Sequence, residues 1–114
     1  MAESRASPHH RAAEAFAGEA HERLGDVIEE ILLYGSVARG EERGTHSDVD
    51  MLVVLSDSVD KADIEERIRD LAYDVELDRG IVLSLVVRTA GEYERERERP
   101  FFRHVRQDAE VLYG

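Results

Sequence analysis

The stretch Val49–Leu55 limits the fold more than any other part of the chain. It reads Val-Asp-Met-Leu-Val-Val-Leu, so after its second residue it is apolar at every position and does not alternate. A strand of this kind is buried on both faces and lies inside a sheet that other elements cover on both sides. The sequence therefore predicts a layered α/β fold with Val49–Leu55 as a central strand.

Helical and extended segments are predicted to alternate around this strand, with glycine, proline and capping residues marking their ends. The first half is predicted to contain a helix from Ser7-Pro8 to a left-handed Gly25, a strand Val27–Tyr34, a helical turn after Gly35-Ser36 and the strand Val49–Leu55. The second half is predicted to contain a helix Asp60–Arg79 ended by Gly80, a strand Ile81–Val87 and a helix begun by the capping box Thr89–Glu92. A break or a new helix is predicted at Pro100, and a short edge strand at Val111–Tyr113. This order predicts a single domain over residues 1–114. The pattern leaves open whether the first two strands are joined by a crossover or by an antiparallel return.

Charge and hydropathy exclude several functional classes. The formal net charge is −11, and the chain lacks the basic face that a direct nucleic-acid binder carries. No apolar run approaches the ~18 residues of a membrane span, and the N-terminal residues do not resemble a signal peptide. We therefore predict a cytoplasmic protein that binds neither nucleic acid nor membrane directly. An acidic protein repels phosphate unless metal ions or local dipoles intervene.

Gly35-Ser36 directly follows a buried strand and precedes a short helical turn. Amide N–H groups at the start of a helix have no acceptor in their own helix and can bind an anion. Gly35 lets the backbone approach a phosphate closely, and the Ser36 hydroxyl can donate a further hydrogen bond. Arg39 follows on the same side of the turn, although an isolated arginine is more often solvated. The segment predicts a nucleotide-binding site at Gly35, Ser36 and Arg39.

Asp48 and Asp50 stand at the start of the central strand. Side chains two residues apart on a strand point to the same face, and their Cα atoms are about 6.7 Å apart. Two such carboxylates can hold hard cations for phosphoryl or nucleotidyl transfer, and oxygen ligands suit Mg²⁺. An isolated Asp-x-Asp pair more often serves only as turn and strand-entry residues. Its position after a Gly-Ser turn favours a metal site.

The run Gly35-Ser36-Val37-Ala38-Arg39-Gly40, followed by Ser47-Asp48-Val49-Asp50, resembles the signature of the DNA-polymerase-β-like nucleotidyltransferase superfamily. The short length is similar to that of its minimal nucleotidyltransferase (MNT) branch. The resemblance implies the nucleotidyltransferase fold, a small mixed β-sheet flanked by α-helices. It also implies that Ser36 contacts the triphosphate of ATP and that Asp48 and Asp50 are catalytic residues and ligands of Mg²⁺.

Active members of this superfamily usually carry a third carboxylate on a neighbouring strand. The matching strand here has Ser84 as its only central polar residue, and a serine is a poor Mg²⁺ ligand and a weak base. The resemblance thus leaves catalysis less supported than the binding of a nucleotide and a metal ion.

Two functions of different class remain. MNT proteins commonly pair with a helical HEPN protein as toxin–antitoxin modules, so the resemblance implies an antitoxin that transfers AMP from ATP to a tyrosine hydroxyl of its HEPN partner. Alternatively, the domain is a catalytically impaired nucleotide- or partner-binding module that neutralises the toxin by occlusion. A transferase acting on a small hydroxylated molecule such as an aminoglycoside is a third hypothesis, which the small size of the chain disfavours. Self-association is left open.

Overall fold

The computed structural model describes residues 7–41 and 48–114. Helices and strands alternate along most of the chain. They are α1 Pro8–Leu24, β1 Ile28–Tyr34, α2 Gly35–Ala38, β2 Val49–Leu55, α3 Lys61–Arg79, β3 Leu83–Thr89, α4 Ala90–Glu96, α5 Pro100–Asp108 and β4 Glu110–Tyr113. Within the described ranges, no helix combines the length and the apolar character that a membrane crossing needs.

The strands form one mixed sheet of four strands in the order β3-β2-β1-β4. β1 runs antiparallel to β2 and to β4, whereas β2 and β3 are parallel. The first two strands are therefore joined by an antiparallel return, which resolves the alternative that the sequence left open. β2 is an inner strand, as its continuous apolar run predicted, and six of its seven residues are buried.

One face of the sheet is covered by α1 and α3. Alternate residues of β2, namely Val49, Met51, Val53 and Leu55, point to this face and belong to the main hydrophobic core. Apart from Phe16, the helices contribute small and branched side chains at helical spacing, which lets them pack closely on the sheet. These helix residues are Ala12, Ala13, Phe16, Ala17, Ala20, Leu24, Ile64, Ile68, Ala72 and Val75.

The opposite face is covered in part by α4 and α5. Leu52 and Val54 of β2 pack there against Phe102 and Val105 of α5 in a second, smaller core. Asp50 lies two residues before Leu52 on the same strand, so its side chain points to this second face. The candidate site is therefore on the side of the sheet away from α1 and α3.

Most of the predicted helix ends are confirmed. The Ser7 hydroxyl accepts a hydrogen bond from the His10 amide, and Gly80 is left-handed with φ 69°. Thr89 and Glu92 form the reciprocal capping box. Pro100 begins a new helix.

Two details of the prediction are wrong. Gly25 has φ −57° and is not left-handed; a Cβ there would lie 2.5 Å from the His21 carbonyl oxygen, so space requires the glycine. The third strand is Leu83–Thr89 and not Ile81–Val87. Its pairing starts where β2 starts, since Val49 is the register partner of Leu83 and Leu55 that of Thr89.

Gly18, in the middle of α1, provides a test of this helix. It is exposed, and a Cβ added to it would meet no atom of the described part of the chain within 4 Å. Because glycine costs roughly 0.8–1.0 kcal/mol relative to alanine inside a helix, Gly18→Ala is expected to raise the free energy of unfolding by about 0.5–1 kcal/mol in urea denaturation. Gly25→Ala is the matched control and is expected to lower it. Equal effects of the two substitutions would contradict this account of α1.

Candidate functional site: the Gly35 turn and the aspartates of β2

The Gly35-Ser36 turn connects the end of β1 directly to α2. Tyr34 is extended, with φ −138°, and Gly35 then adopts φ 78°, which glycine reaches without strain. α2 is a single turn closed by the bond from the Arg39 amide to the Gly35 carbonyl, 3.1 Å long. Gly40, with φ 72°, ends it. The sequence predicted this helical turn after Gly35-Ser36, and the structure confirms it.

Asp48 and Asp50 flank the first residue of β2. Asp48 is exposed, and Asp50 is half-buried. Within the sheet, Asp50 stands between Tyr34 of β1 and Ser84 of β3, which are its register partners on the two sides. Ser84 therefore occupies the neighbouring-strand position beside Asp50, where the superfamily resemblance predicts a third carboxylate.

The Asp50 carboxylate lies against the backbone of Gly35. A Cβ atom added to Gly35 would be 2.5 Å from Oδ2 of Asp50 and 3.4 Å from its Cβ. A side chain at this position would therefore displace the carboxylate or the turn. This contact joins the two halves of the sequence motif, since it places the carboxylate beside the amides that open α2.

The electrostatics of the pair leave negative charge without full compensation. Burial raises the pKa of Asp50 above its ordinary value, the charge of Asp48 raises it further, and Arg39 offsets part of the shift. Burial, followed by the charge of Asp50, raises the pKa of Tyr34 to about 12. A divalent cation held between the two aspartates would relieve this repulsion, and carboxylate oxygens are ligands that Mg²⁺ prefers.

The donor set fits a cation that takes further ligands from elsewhere. Across residues 7–41 and 48–114, no three His, Cys, Asp or Glu side chains are grouped closely enough to hold a metal ion. Two carboxylates suit Mg²⁺ in nucleotide enzymes, because Mg²⁺ there usually keeps water and phosphate oxygens as its other ligands. The predicted motif also includes the loop Glu41–His46 and Ser47. Except for Glu41, these residues lie outside the described part of the chain.

Arg39 is engaged by two carboxylates. Its Nε donates to Oε1 of Glu41 and its Nη1 donates to Oδ2 of Asp108, both over 2.8 Å. These bonds raise the pKa of Arg39 further above its ordinary value. The structure therefore places Arg39 near Asp50 while occupying its guanidinium with protein carboxylates. A bound phosphate would have to compete with Asp108 for it.

Asp108 is a site residue that sequence reasoning missed. It lies at the end of α5 and meets Arg39 only through the tertiary fold, so no local pattern could have indicated it. Tyr34 was also missed, although its position directly before Gly35 was a signal that could have been used.

Removal of the Asp108 charge is expected to make Arg39 more available to a phosphate. Because exposed ion pairs are worth about 0.2–1 kcal/mol, Asp108→Asn is expected to tighten the binding of ATP with Mg²⁺ by roughly 1.5- to 5-fold in calorimetry. Asp70→Asn on α3 changes the net charge equally and serves as the control. Weaker binding in Asp108→Asn, or an equal gain in both variants, would contradict this role for Arg39.

The chain matches the family model of the nucleotidyltransferase domain over residues 14–109, which include the Gly35 turn, both aspartates and the strands β1, β2 and β3, whereas β4 lies outside the match. No curated protein sequence gives a significant match.

Solved structures show the same fold. A presumed nucleotidyltransferase from Sulfolobus solfataricus is 23% identical, with a TM-score of 0.59 over 95% of this chain and 85% of the other. A mutant of the toxin–antitoxin MntA–HpeT is 22% identical, with a TM-score of 0.56 over 83% of this chain and 66% of the other. A toxin–antitoxin structure with AMP-PNP is also 22% identical, with a TM-score of 0.58 over 86% of this chain and 73% of the other. The mixed sheet flanked by helices agrees with these folds. Because the family model matches residues 14–109, the chain belongs to the nucleotidyltransferase domain family.

Proposed function

We propose that the protein is a Mg²⁺-dependent nucleotidyltransferase that transfers AMP from ATP to a hydroxyl group of a partner protein. The observation that carries this proposal is the contact between the Asp50 carboxylate and the Gly35 backbone. It puts a candidate cation ligand and a candidate phosphate-binding turn side by side, and a metal-bound triphosphate needs both.

The proposed roles of the residues are metal binding and phosphate binding. Asp48 and Asp50 would hold the cation, and the Ser36 hydroxyl with the amides at Gly35 would hold the phosphates. When bound, Mg²⁺ supplies neutralisation of the triphosphate and stabilisation of the pyrophosphate leaving group. The turn fixes the α-phosphate beside the aspartates, so that a partner's hydroxyl oxygen can attack phosphorus as the bond to pyrophosphate breaks. The hydroxyl proton leaves to solvent.

We further propose that the partner is a toxin and that this chain is its antitoxin. Support comes from the fold similarity to toxin–antitoxin structures, one of which contains the nucleotide analogue AMP-PNP. The MNT-like motif favours a HEPN-type helical protein as that toxin. The acceptor is then a tyrosine of the toxin, and its modification would neutralise the toxin.

The experiment is a labelling assay with a HEPN-type helical protein, purified separately, as the acceptor. ATP labelled at the α-phosphate is expected to label that protein in Mg²⁺ and not in EDTA, whereas ATP labelled at the γ-phosphate is expected to leave it unlabelled. Mass spectrometry should locate one AMP on a tyrosine. Equal labelling from the two positions, or labelling in EDTA, would contradict AMP transfer.

Ser84 supports a second candidate function, that of a nucleotide- or partner-binding module which neutralises the toxin by occlusion. Ser84 is the register partner of Asp50 on β3, where a carboxylate would complete the metal site and act as a base. A site without this carboxylate can bind a nucleotide but transfers it only slowly, because no positioned base is present. Calorimetry that detects ATP binding, together with no release of pyrophosphate, would favour this function.

Replacement of Ser84 by aspartate tests which of the two functions the protein has. If Ser84 limits catalysis, Ser84→Asp is expected to raise pyrophosphate release by roughly 100-fold, the lower range for a positioned general base. It is also expected to lower stability without metal, because it adds a third negative charge beside Asp50 and Asp48. Ser84→Asn, which is of similar size and uncharged, is the control. An unchanged rate in Ser84→Asp would show that Ser84 does not limit transfer.

A further inference from the structure

Phe101 is an aromatic side chain held in place beside the candidate site. It lies in the first turn of α5 and is 44% exposed. Its ring makes edge-to-face contacts with two others, with centroid distances of 5.8 Å to Tyr34 and 5.0 Å to Phe102. Phe102 is buried in the second core, so its contact with Phe101 restrains the Phe101 ring on the core side. The ring thus has a fixed orientation and leaves a large part of its surface uncovered.

α5 runs alongside the Gly35 turn. At its start, Phe101 contacts Tyr34, the residue before Gly35. At its end, Asp108 pairs with Arg39, the residue after α2. Phe101 therefore lies next to Tyr34, the residue that directly precedes the proposed phosphate-binding turn. Asp50 is the register partner of Tyr34 and shares its face of the sheet.

We propose that Phe101 is the stacking surface for the base of the nucleoside triphosphate, an inference that rests on the proposed nucleotide site. Every nucleobase has a flat π-face that stacks on aromatic side chains with little dependence on its identity. A ring already fixed by neighbours loses little conformational freedom when a ligand covers it. Phe101 then contributes affinity for nucleosides in general, and discrimination between bases is weak.

Calorimetry in Mg²⁺ can isolate this contribution by comparing ATP with inorganic tripolyphosphate, which lacks the base. Phe101→Ala is expected to weaken ATP binding by roughly 5- to 100-fold, the range for loss of a base-stacking side chain, and to leave tripolyphosphate binding unchanged. Phe101→Tyr is expected to restore ATP binding. Tyr73→Ala is the control, since Tyr73 is 58% exposed on α3, on the other side of the sheet.

A fluorescence measurement provides a second readout. The chain has no tryptophan, so Phe101→Trp introduces a single reporter at the proposed stacking position. ATP with Mg²⁺ is expected to quench its emission, whereas tripolyphosphate with Mg²⁺ is not. GTP is expected to quench it to a similar extent, because stacking does not select strongly between bases. The emission of Tyr73→Trp should not respond to either nucleotide.

The outcomes separate this inference from the function on which it rests. If the unmodified protein binds tripolyphosphate and ATP but Phe101→Ala binds both as tightly, the base does not stack on Phe101. If Phe101→Ala weakens both ligands equally, its effect is structural and the inference is again wrong. If the unmodified protein binds neither ligand in Mg²⁺, the proposed nucleotide site itself fails, and the stacking role fails with it.

Discussion

Replacement of Gly35 by alanine is expected to remove nucleotide binding and to destabilise the protein. Gly35 has φ 78°, and a residue with a Cβ pays roughly 1–2 kcal/mol in the left-handed region. Its Cβ would also lie 2.5 Å from Oδ2 of Asp50, so either the turn or the carboxylate must move. We expect a loss of at least 2 kcal/mol in the free energy of unfolding, about the conformational penalty plus a small steric one, and ATP binding too weak for calorimetry to detect.

Gly40→Ala is the matched control for this experiment. Gly40 has a similar φ of 72°, but a Cβ there would meet no atom of residues 7–41 or 48–114 within 4 Å. It is expected to show the conformational penalty alone and to keep measurable ATP binding. If the two variants lose the same stability and the same affinity, the contact between Gly35 and Asp50 has no functional importance.

Replacement of Asp50 by asparagine is expected to change activity and metal-free stability in opposite directions. Loss of the carboxylate should reduce Mg²⁺-dependent transfer by roughly 100-fold or more, the scale on which removal of one charge-stabilising group acts. Asp48→Asn is expected to reduce transfer in the same direction. Without metal, Asp50→Asn should raise the melting temperature by a few degrees, because about 1 kcal/mol corresponds to roughly 4 °C in a domain of this size.

The gain in stability is expected to depend on pH. Because the pKa of Asp50 is raised in the folded state, the folded protein binds its proton more tightly than the unfolded chain, and ionisation of Asp50 costs stability as pH rises. The difference in melting temperature between Asp50→Asn and the unmodified protein should be largest near pH 7. It should shrink as pH falls and disappear below the ordinary aspartate value of 3.8, where Asp50 is protonated in both the folded and the unfolded state.

Asp74→Asn controls for the change in net charge in these measurements. Asp74 is exposed on α3, on the face of the sheet opposite to Asp50. Transfer should be unaffected, and Mg²⁺ should change its melting temperature as it does that of the unmodified protein. If Asp50→Asn keeps full transfer activity, or loses stability at pH 7, the assignment of Asp50 as a cation ligand under electrostatic strain is wrong.

Local signals in the sequence predicted most of the fold correctly. The apolar run of β2 predicted an inner strand, and the cap at Ser7 and the box at Thr89 predicted helix starts that the structure confirms. Each of these depends on residues near one another in the chain, or on a pattern that the sheet repeats.

The remaining features depend on contacts between distant residues. The antiparallel pairing of β1 with β2 depends on the path of the connection between them, and periodicity does not reveal it. The pair of Arg39 with Asp108 and that of Tyr34 with Phe101 both depend on how α5 packs. Gly25 was predicted to be left-handed because a glycine that follows a helix usually is. The reason for a glycine at this position is instead the nearby His21 carbonyl, which leaves no room for a Cβ atom.

The sheet order has a consequence for how the protein opens. β4 has four residues and, among the described residues, pairs with β1 alone. Its other contacts include the His10–Glu110 pair, the His21–Tyr113 ring contact and the bond from the Tyr113 hydroxyl to the Gly25 carbonyl. Local unfolding is favoured where few contacts must break, so amide hydrogen exchange should be fastest in this strand. Its departure would uncover the edge of β1 at Leu32 and Leu33, and a free edge is a template for strand exchange between molecules.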